Sequence, residues 1–237
     1  MAYIEICAAN YASVVAAGEG GAHRIELCSG LESGGLTPSP GLIKAAVAHL
    51  DIPVFVLIRP REGDFCYSPG EVELMLEDIR FCREAGAAGV VVGALTPQYE
   101  LDAPVFRAMM AAAGPLQVVC HRAFDFTADP NKSLEQLIDW GVVRVLSSGQ
   151  KASAWEGREN LAAWVREYGD RIQIMPGSGI SDQNIQAIQA HTRAQHFHFS
   201  ARKWVEQANL SDIPGLPAGI FVSDAEMIRQ CVTMVNN

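Results

Sequence analysis

Acid–base chemistry, anion binding and soft-metal binding each find their residue types in a few short stretches of this chain. "CHRAFD" (residues 120–125) places His121, Arg122 and Asp125 directly after the apolar run "LQVV". Histidine titrates nearest neutrality, so His121 is a candidate general acid or base, with Asp125 to hold the imidazole or an arginine. "IRPREGDF" supplies Arg59 and Arg61, whose guanidinium forks, like that of Arg122, match carboxylate or phosphate. "YIEICA" and "RIELCS" share an E-x-C pattern, pairing Glu5 with Cys7 and Glu26 with Cys28. Two thiolates suit a soft ion such as Cu(I), with His121, His198 or Met175 as a conceivable third donor. The same cysteines also read as small apolar fillers. "MPGSGI" sets Gly177 and Gly179 ahead of a helix and, with Ser200, forms a candidate anion site. A plain tight turn accounts for those glycines equally well.

These side chains act together only if the fold delivers them to one place. β-rich runs at 3–7, 23–28, 53–58, 88–93, 116–121, 142–147, 171–175 and 195–199 are nearly all apolar, as strands buried on both faces must be. Helical patterns lie between them. Val72, Met75, Leu76, Ile79 and Cys82 mark one face of a helix, started by Ser68, Pro69 and Glu71 as cap, first position and capping box. Strand starts recur about every 20–35 residues, one right-handed βα unit each. The sequence therefore predicts an α/β fold, a (β/α)8 TIM barrel in a single domain over residues 1–237. A doubly wound sheet is the alternative, but no glycine fingerprint follows the first strand. The irregular 201–222 stretch is expected across one barrel end or in a dimer contact.

In such a barrel the site lies at the C-terminal strand ends, where the polar stretches gather. Alternation sends Glu5, Cys7, Glu26, Cys28, His196, His198 and Ser200 inward, with Phe197 and Phe199 under the helices. Inward glutamates need partners, and Arg59, Arg61, Arg122, His121 and His198 are the candidates. Such pairing shifts pKa values, which makes Glu5 and Glu26 candidate catalytic carboxylates; ion pairs that only fill the barrel are the bland reading. Matching E-x-C patterns suggest matched register and sulfurs within about 4–5 Å. Cu(I) is expected over Zn(II), because only two soft ligands are assured and zinc normally takes four.

Composition narrows the partners. A net charge of −9 without a basic patch excludes nucleic acid. No apolar run approaches the roughly 18 residues of a membrane span, and no signal peptide is evident. The six cysteines contain no C-x-x-C and read as free thiols of a cytoplasmic protein. No phosphate-loop, zinc-protease or serine-hydrolase motif occurs, so no organic cofactor is evident. The partners expected are copper or a small anionic ligand.

Taken together, "RIELCSGLESGGLTPS", "IRPREGDFCYS", "CHRAFD", "RVLSSG" and "MPGSGI" resemble the copper homeostasis protein CutC family. The resemblance runs in order from strand one through "HFHFSA". It implies a cytoplasmic TIM barrel, commonly a homodimer, linked to copper tolerance and binding copper through the cysteines that correspond to Cys7 and Cys28. It also brings Asp64, Ser148 and Gly149 into the strand-end set, Ser148 as an anion-binding candidate. Glu62, Ser147 and Ser178 depart from the family pattern, as does the segment after Ser200. Two functions follow: a Cu(I)-binding protein, or a TIM-barrel enzyme acting on a small anion with an indirect link to copper.

Overall fold

The computed structural model describes residues 2–207 and 218–236. Eight parallel strands make the ring: β1 (Tyr3–Ala8), β2 (Arg24–Leu27), β3 (Val54–Leu57), β4 (Gly89–Val92), β5 (Gln117–Cys120), β6 (Arg144–Ser147), β7 (Gln173–Pro176) and β8 (His196–Phe199). Each pairs with its sequence neighbour, β1 also pairs with β8, and a single bridge from Gly177 to His198 joins β7 to β8. The helices are α1 (Tyr11–Glu19), α2 (Pro40–His49), α3 (Pro69–Glu84), α4 (Ala103–Ala113), α5 (Pro130–Asp139), α6 (Arg158–Tyr168), α7 (Ile185–Thr192) and α8 (Ala225–Asn236). This is the (β/α)8 barrel that the strand spacing predicts.

Local chemistry explains the helix starts. Ser68 accepts from the Glu71 amide, and the Glu71 carboxylate accepts from the Ser68 amide, which closes the capping box of α3. Met75, Leu76, Ile79 and Cys82 of this helix are buried. They join the apolar layer between strands and helices, to which Phe197 and Phe199 also belong.

Inside the ring the apolar layer is small: Cys7, Cys28, Phe55, Leu57, Val91 and Val119. Buried charges lie beside it, among them Glu5, Arg24, Glu26 and Arg144. Register explains how they meet. Glu5 lies beside Arg24 and Cys7 beside Glu26, so β2 is displaced by two residues from the matched register the E-x-C patterns suggested. Closing a sheet into a barrel requires such a stagger between neighbours.

The 201–222 stretch contains a strand pair that sequence patterning did not show. β9 (Arg202–Glu206) runs antiparallel to β10 (Gly219–Ser223). Asn10 Nδ2 donates to the Phe221 carbonyl at 2.8 Å, and the Ser223 amide donates to Ser13 Oγ at 3.0 Å. Asn10 caps α1 just past the end of β1, so the hairpin lies across the barrel mouth. Most of "NLSDIPGLPAGIF" falls at 208–217, outside the described residues. Among the described residues no helix is long and apolar enough to cross a membrane.

Candidate functional site

A chain of polar contacts runs through the barrel interior to the base of its mouth. Arg24 donates to Glu5 at 2.5 Å, and Arg144 lies 3.7 Å from the same carboxylate oxygen. The other Glu5 oxygen meets His198 Nδ1 at 2.8 Å. His198 Nε2 lies 3.5 Å from Glu26, Glu26 accepts from the Cys7 thiol at 3.3 Å, and the Cys7 and Cys28 sulfurs are 3.5 Å apart. One donor atom each from Cys7, Glu26 and His198 falls within a 4.8 Å cluster.

Burial and charge set the protonation of this chain. Burial works to raise the Glu5 carboxyl, but Arg24, His198 and Arg144 outweigh it and hold it well below the usual carboxylate range. For Glu26 burial wins, and its carboxyl is raised. Burial also works to lower His198, yet Glu26, Cys7 and Glu5 together raise it well above an ordinary imidazole. Cys28, then burial and the Glu26 charge, push the Cys7 thiol well up.

Arg24 and Arg144 are the functional neighbours that the motif reading missed. Of the partners expected for the glutamates, only His198 takes that place. Arg24 lies two residues before Glu26 and points the same way, so strand parity was the available signal. Met175, a conceivable third metal donor, instead meets Arg24 Nη2 at 3.2 Å.

Above these contacts a cavity of about 640 Å³ opens at the strand C-termini. Cys7, Glu26, Arg59, His121, Arg122, Gly179, His198 and Ser200 share it. Phe65 packs beneath both His121 and Arg59, with its ring centre 5.0 Å from the imidazole centre and 5.2 Å from the guanidinium carbon. His121 reaches that position because Gly93, just past the end of β4, has no side chain; a Cβ there would lie 2.4 Å from its Cε1.

Several expected site residues have other work. Asp125 accepts from Arg122, Ser147, and the amides of Ser148 and Gln150, and so organises the loop after β6. Arg122 is paired with Asp125 and with Ser148 Oγ, and Ser148 in turn donates to the Lys151 carbonyl. Arg61 is tied to Glu71 and Asp64 on the outer loop, away from the cavity. The Gly177 amide donates to Ser147, and its missing side chain leaves room for Leu146. Arg61, Ser148 and Gly177 are therefore committed structurally and are not free anion donors. His121 is held away from the neutral range in which an ordinary histidine titrates. Burial, then the Arg59 charge, pull it down to about 3, which leaves a neutral ring at physiological pH.

The architecture and site define a single (β/α)8 barrel with a thiol–carboxylate–imidazole corner at its mouth. Comparison with known proteins places it further: residues 2–203 match the model of the CutC family, and the chain belongs to that family. A CutC family protein of Xanthomonas campestris pv. campestris (strain 8004) is 52% identical over 199 residues, 84% of this chain and 83% of the relative. One from Xylella fastidiosa (strain Temecula1) is 45% identical over 236 residues, 98% of this chain and 88% of its own. The crystal structure assigned as a copper homeostasis protein CutC from Streptococcus agalactiae superposes with TM-score 0.81 at 34% identity, covering 84% of this chain and 99% of that one. Phosphoribosylanthranilate isomerase of Thermotoga maritima, at 12% identity and TM-score 0.59, shares the fold alone.

Proposed function

We propose that this protein binds Cu(I) in the cytoplasm, through Cys7 and Cys28 with His198 Nε2 as third donor, in the service of copper homeostasis. The 3.5 Å approach of the two sulfurs beside an inward imidazole carries this reading. Family membership supports it. Soft thiolates select Cu(I), which accepts two or three ligands. His198 is oriented as metal-binding histidines usually are, with its other nitrogen held by the Glu5 carboxylate. Metal binding displaces a proton from each thiol and from His198 Nε2; Glu26, which accepts the Cys7 hydrogen and lies 3.5 Å from His198 Nε2, is placed to relay these protons to solvent.

Zinc returns as a competitor. The sequence argument against it rested on a shortage of ligands, and the structure gathers His198 and Glu26 around Cys7, with Cys28 joined through the Cys7 sulfur. The softness of the sulfur pair remains the ground for Cu(I). The test is anaerobic titration against a Cu(I) chelator, with Zn(II) in a parallel series. Cu(I) affinity is expected to fall at least 100-fold in the Cys7→Ser/Cys28→Ser variant. Equal affinity in wild type and variant, or tighter binding of Zn(II), would remove the assignment.

A further inference from the structure

Two side chains that line the cavity each bury an N–H donor with no partner among the described residues. His121 is 5% exposed, and its Nδ1 accepts from the Ala123 amide at 3.0 Å. A neutral imidazole that accepts at Nδ1 carries its hydrogen on Nε2. That Nε2 is buried and has no partner among the described residues. Arg59, 6% exposed, is in the same condition at Nε. Its terminal nitrogens hold the carbonyls of Ser33, Gly35 and Gly63, which explains the guanidinium head as a loop clamp but leaves Nε over. Among the described residues no carboxylate forms an ion pair with Arg59, so a buried positive charge borders the cavity without a counter-ion.

An unsatisfied buried donor costs about 1–3 kcal/mol, and native structures hold few of them. The two side chains that carry these donors both pack on Phe65 and line one cavity, and one of them is cationic. We propose that His121 Nε2–H and Arg59 Nε–H form an oxyanion subsite that takes a carboxylate or phosphate oxygen of a small molecule in the barrel mouth. The cavity size, about 640 Å³, suits a metabolite-sized ligand. His121 serves there as a fixed donor rather than a proton shuttle. Cys7, Glu26 and His198 line the same cavity, so the anion shares its chamber with the thiol corner. The subsite stands on its own donors and does not depend on the copper reading.

The test uses metal-free, 15N-labelled full-length protein with a chelator present. The His121 Nε2–H signal, identified by its loss in His121→Phe, is followed while inorganic phosphate, malonate or chloride is added at constant ionic strength. The expected result is a saturable shift with phosphate or malonate and none with chloride; which of the two saturates first names the anion class. Calorimetry should find binding about tenfold weaker in His121→Phe. No saturable shift with either oxyanion, or equal affinity in the folded variant, overturns the proposal. If His121→Phe does not fold, the wild-type titration decides alone, with the signal recognised by its coupling to the ring.

Discussion

Glu5 and His198, from the first and eighth strands, meet inside the barrel with Oε1 2.8 Å from Nδ1. The other Glu5 oxygen carries Arg24, so one carboxylate anchors a cation on one side and orients an imidazole on the other. Replacing Glu5 by leucine strands Arg24 and Arg144 without their counter-charge. Breaking a buried pair in this way costs about 3–5 kcal/mol, to be read from urea unfolding. The gentler Glu5→Gln keeps an acceptor for His198; we expect it to fold and to bind Cu(I) about 10–100-fold more weakly. Unchanged Cu(I) affinity in Glu5→Gln would mean that His198 needs no orienting partner.

Stability should fall as pH is lowered through the range in which His121 resists protonation. Its folded value is about 3, against the ordinary 6.5. Between these values the unfolded chain binds the proton and the folded chain does not, so acid favours unfolding. His121 adds up to about 1.4 kcal/mol of lost stability per pH unit, and nothing further above about pH 6.5. Urea midpoints measured from pH 7 down to 4 should therefore fall less steeply in His121→Phe than in wild type. Parallel curves would show that His121 is charged in the folded state.

Gly93 is kept free of a side chain by its neighbour. A Cβ at this position would lie 2.4 Å from His121 Cε1 and 2.6 Å from Nδ1. Gly93→Ala should destabilise by about 1–3 kcal/mol and turn the imidazole out of its contact with Phe65. A crystal structure of the variant with the ring unmoved would contradict this.

The sulfur pair is also open to oxidation. At 3.5 Å, Cys7 and Cys28 need only a small shift to bond when an added diazene dicarboxamide oxidant accepts their two hydrogens. The thiol count under denaturing conditions should fall from six to four in wild type and stay at five in Cys7→Ser. Copper bound beforehand should slow the loss. Full retention in oxidised wild type would show that the backbone holds the sulfurs apart.

Much of the barrel was legible because its signals are local. Apolar runs gave the eight strands, and Ser68 with Glu71 gave the start of α3 to the residue. Parity along β1, β2 and β8 sent Glu5, Cys7, Glu26, Cys28 and His198 inward. What sequence patterning could not supply was how the strands slide past each other. That offset pairs Cys7 with Glu26 and Glu5 with Arg24, and it depends on closing the ring. The ion pairs of Arg61 and Arg122 were hidden for a related reason: a guanidinium looks alike in sequence whether it awaits a ligand or is paired with Glu71 or Asp125. The β9–β10 hairpin was hidden by short strands whose residues are mostly exposed and so lack a buried alternation.

The bridge between Gly177 and His198 carries a mechanical consequence. Seven of the ring's joints are continuous ladders, whereas β7 meets β8 at this one isolated point. A hoop with one weak fastening opens there first. Local breathing should therefore let deuterium into the β8 amides ahead of those of β4 and β5. Whatever grips the His198 imidazole also rivets that fastening, so occupancy of the barrel mouth would register as slowed isotope exchange along the eighth strand.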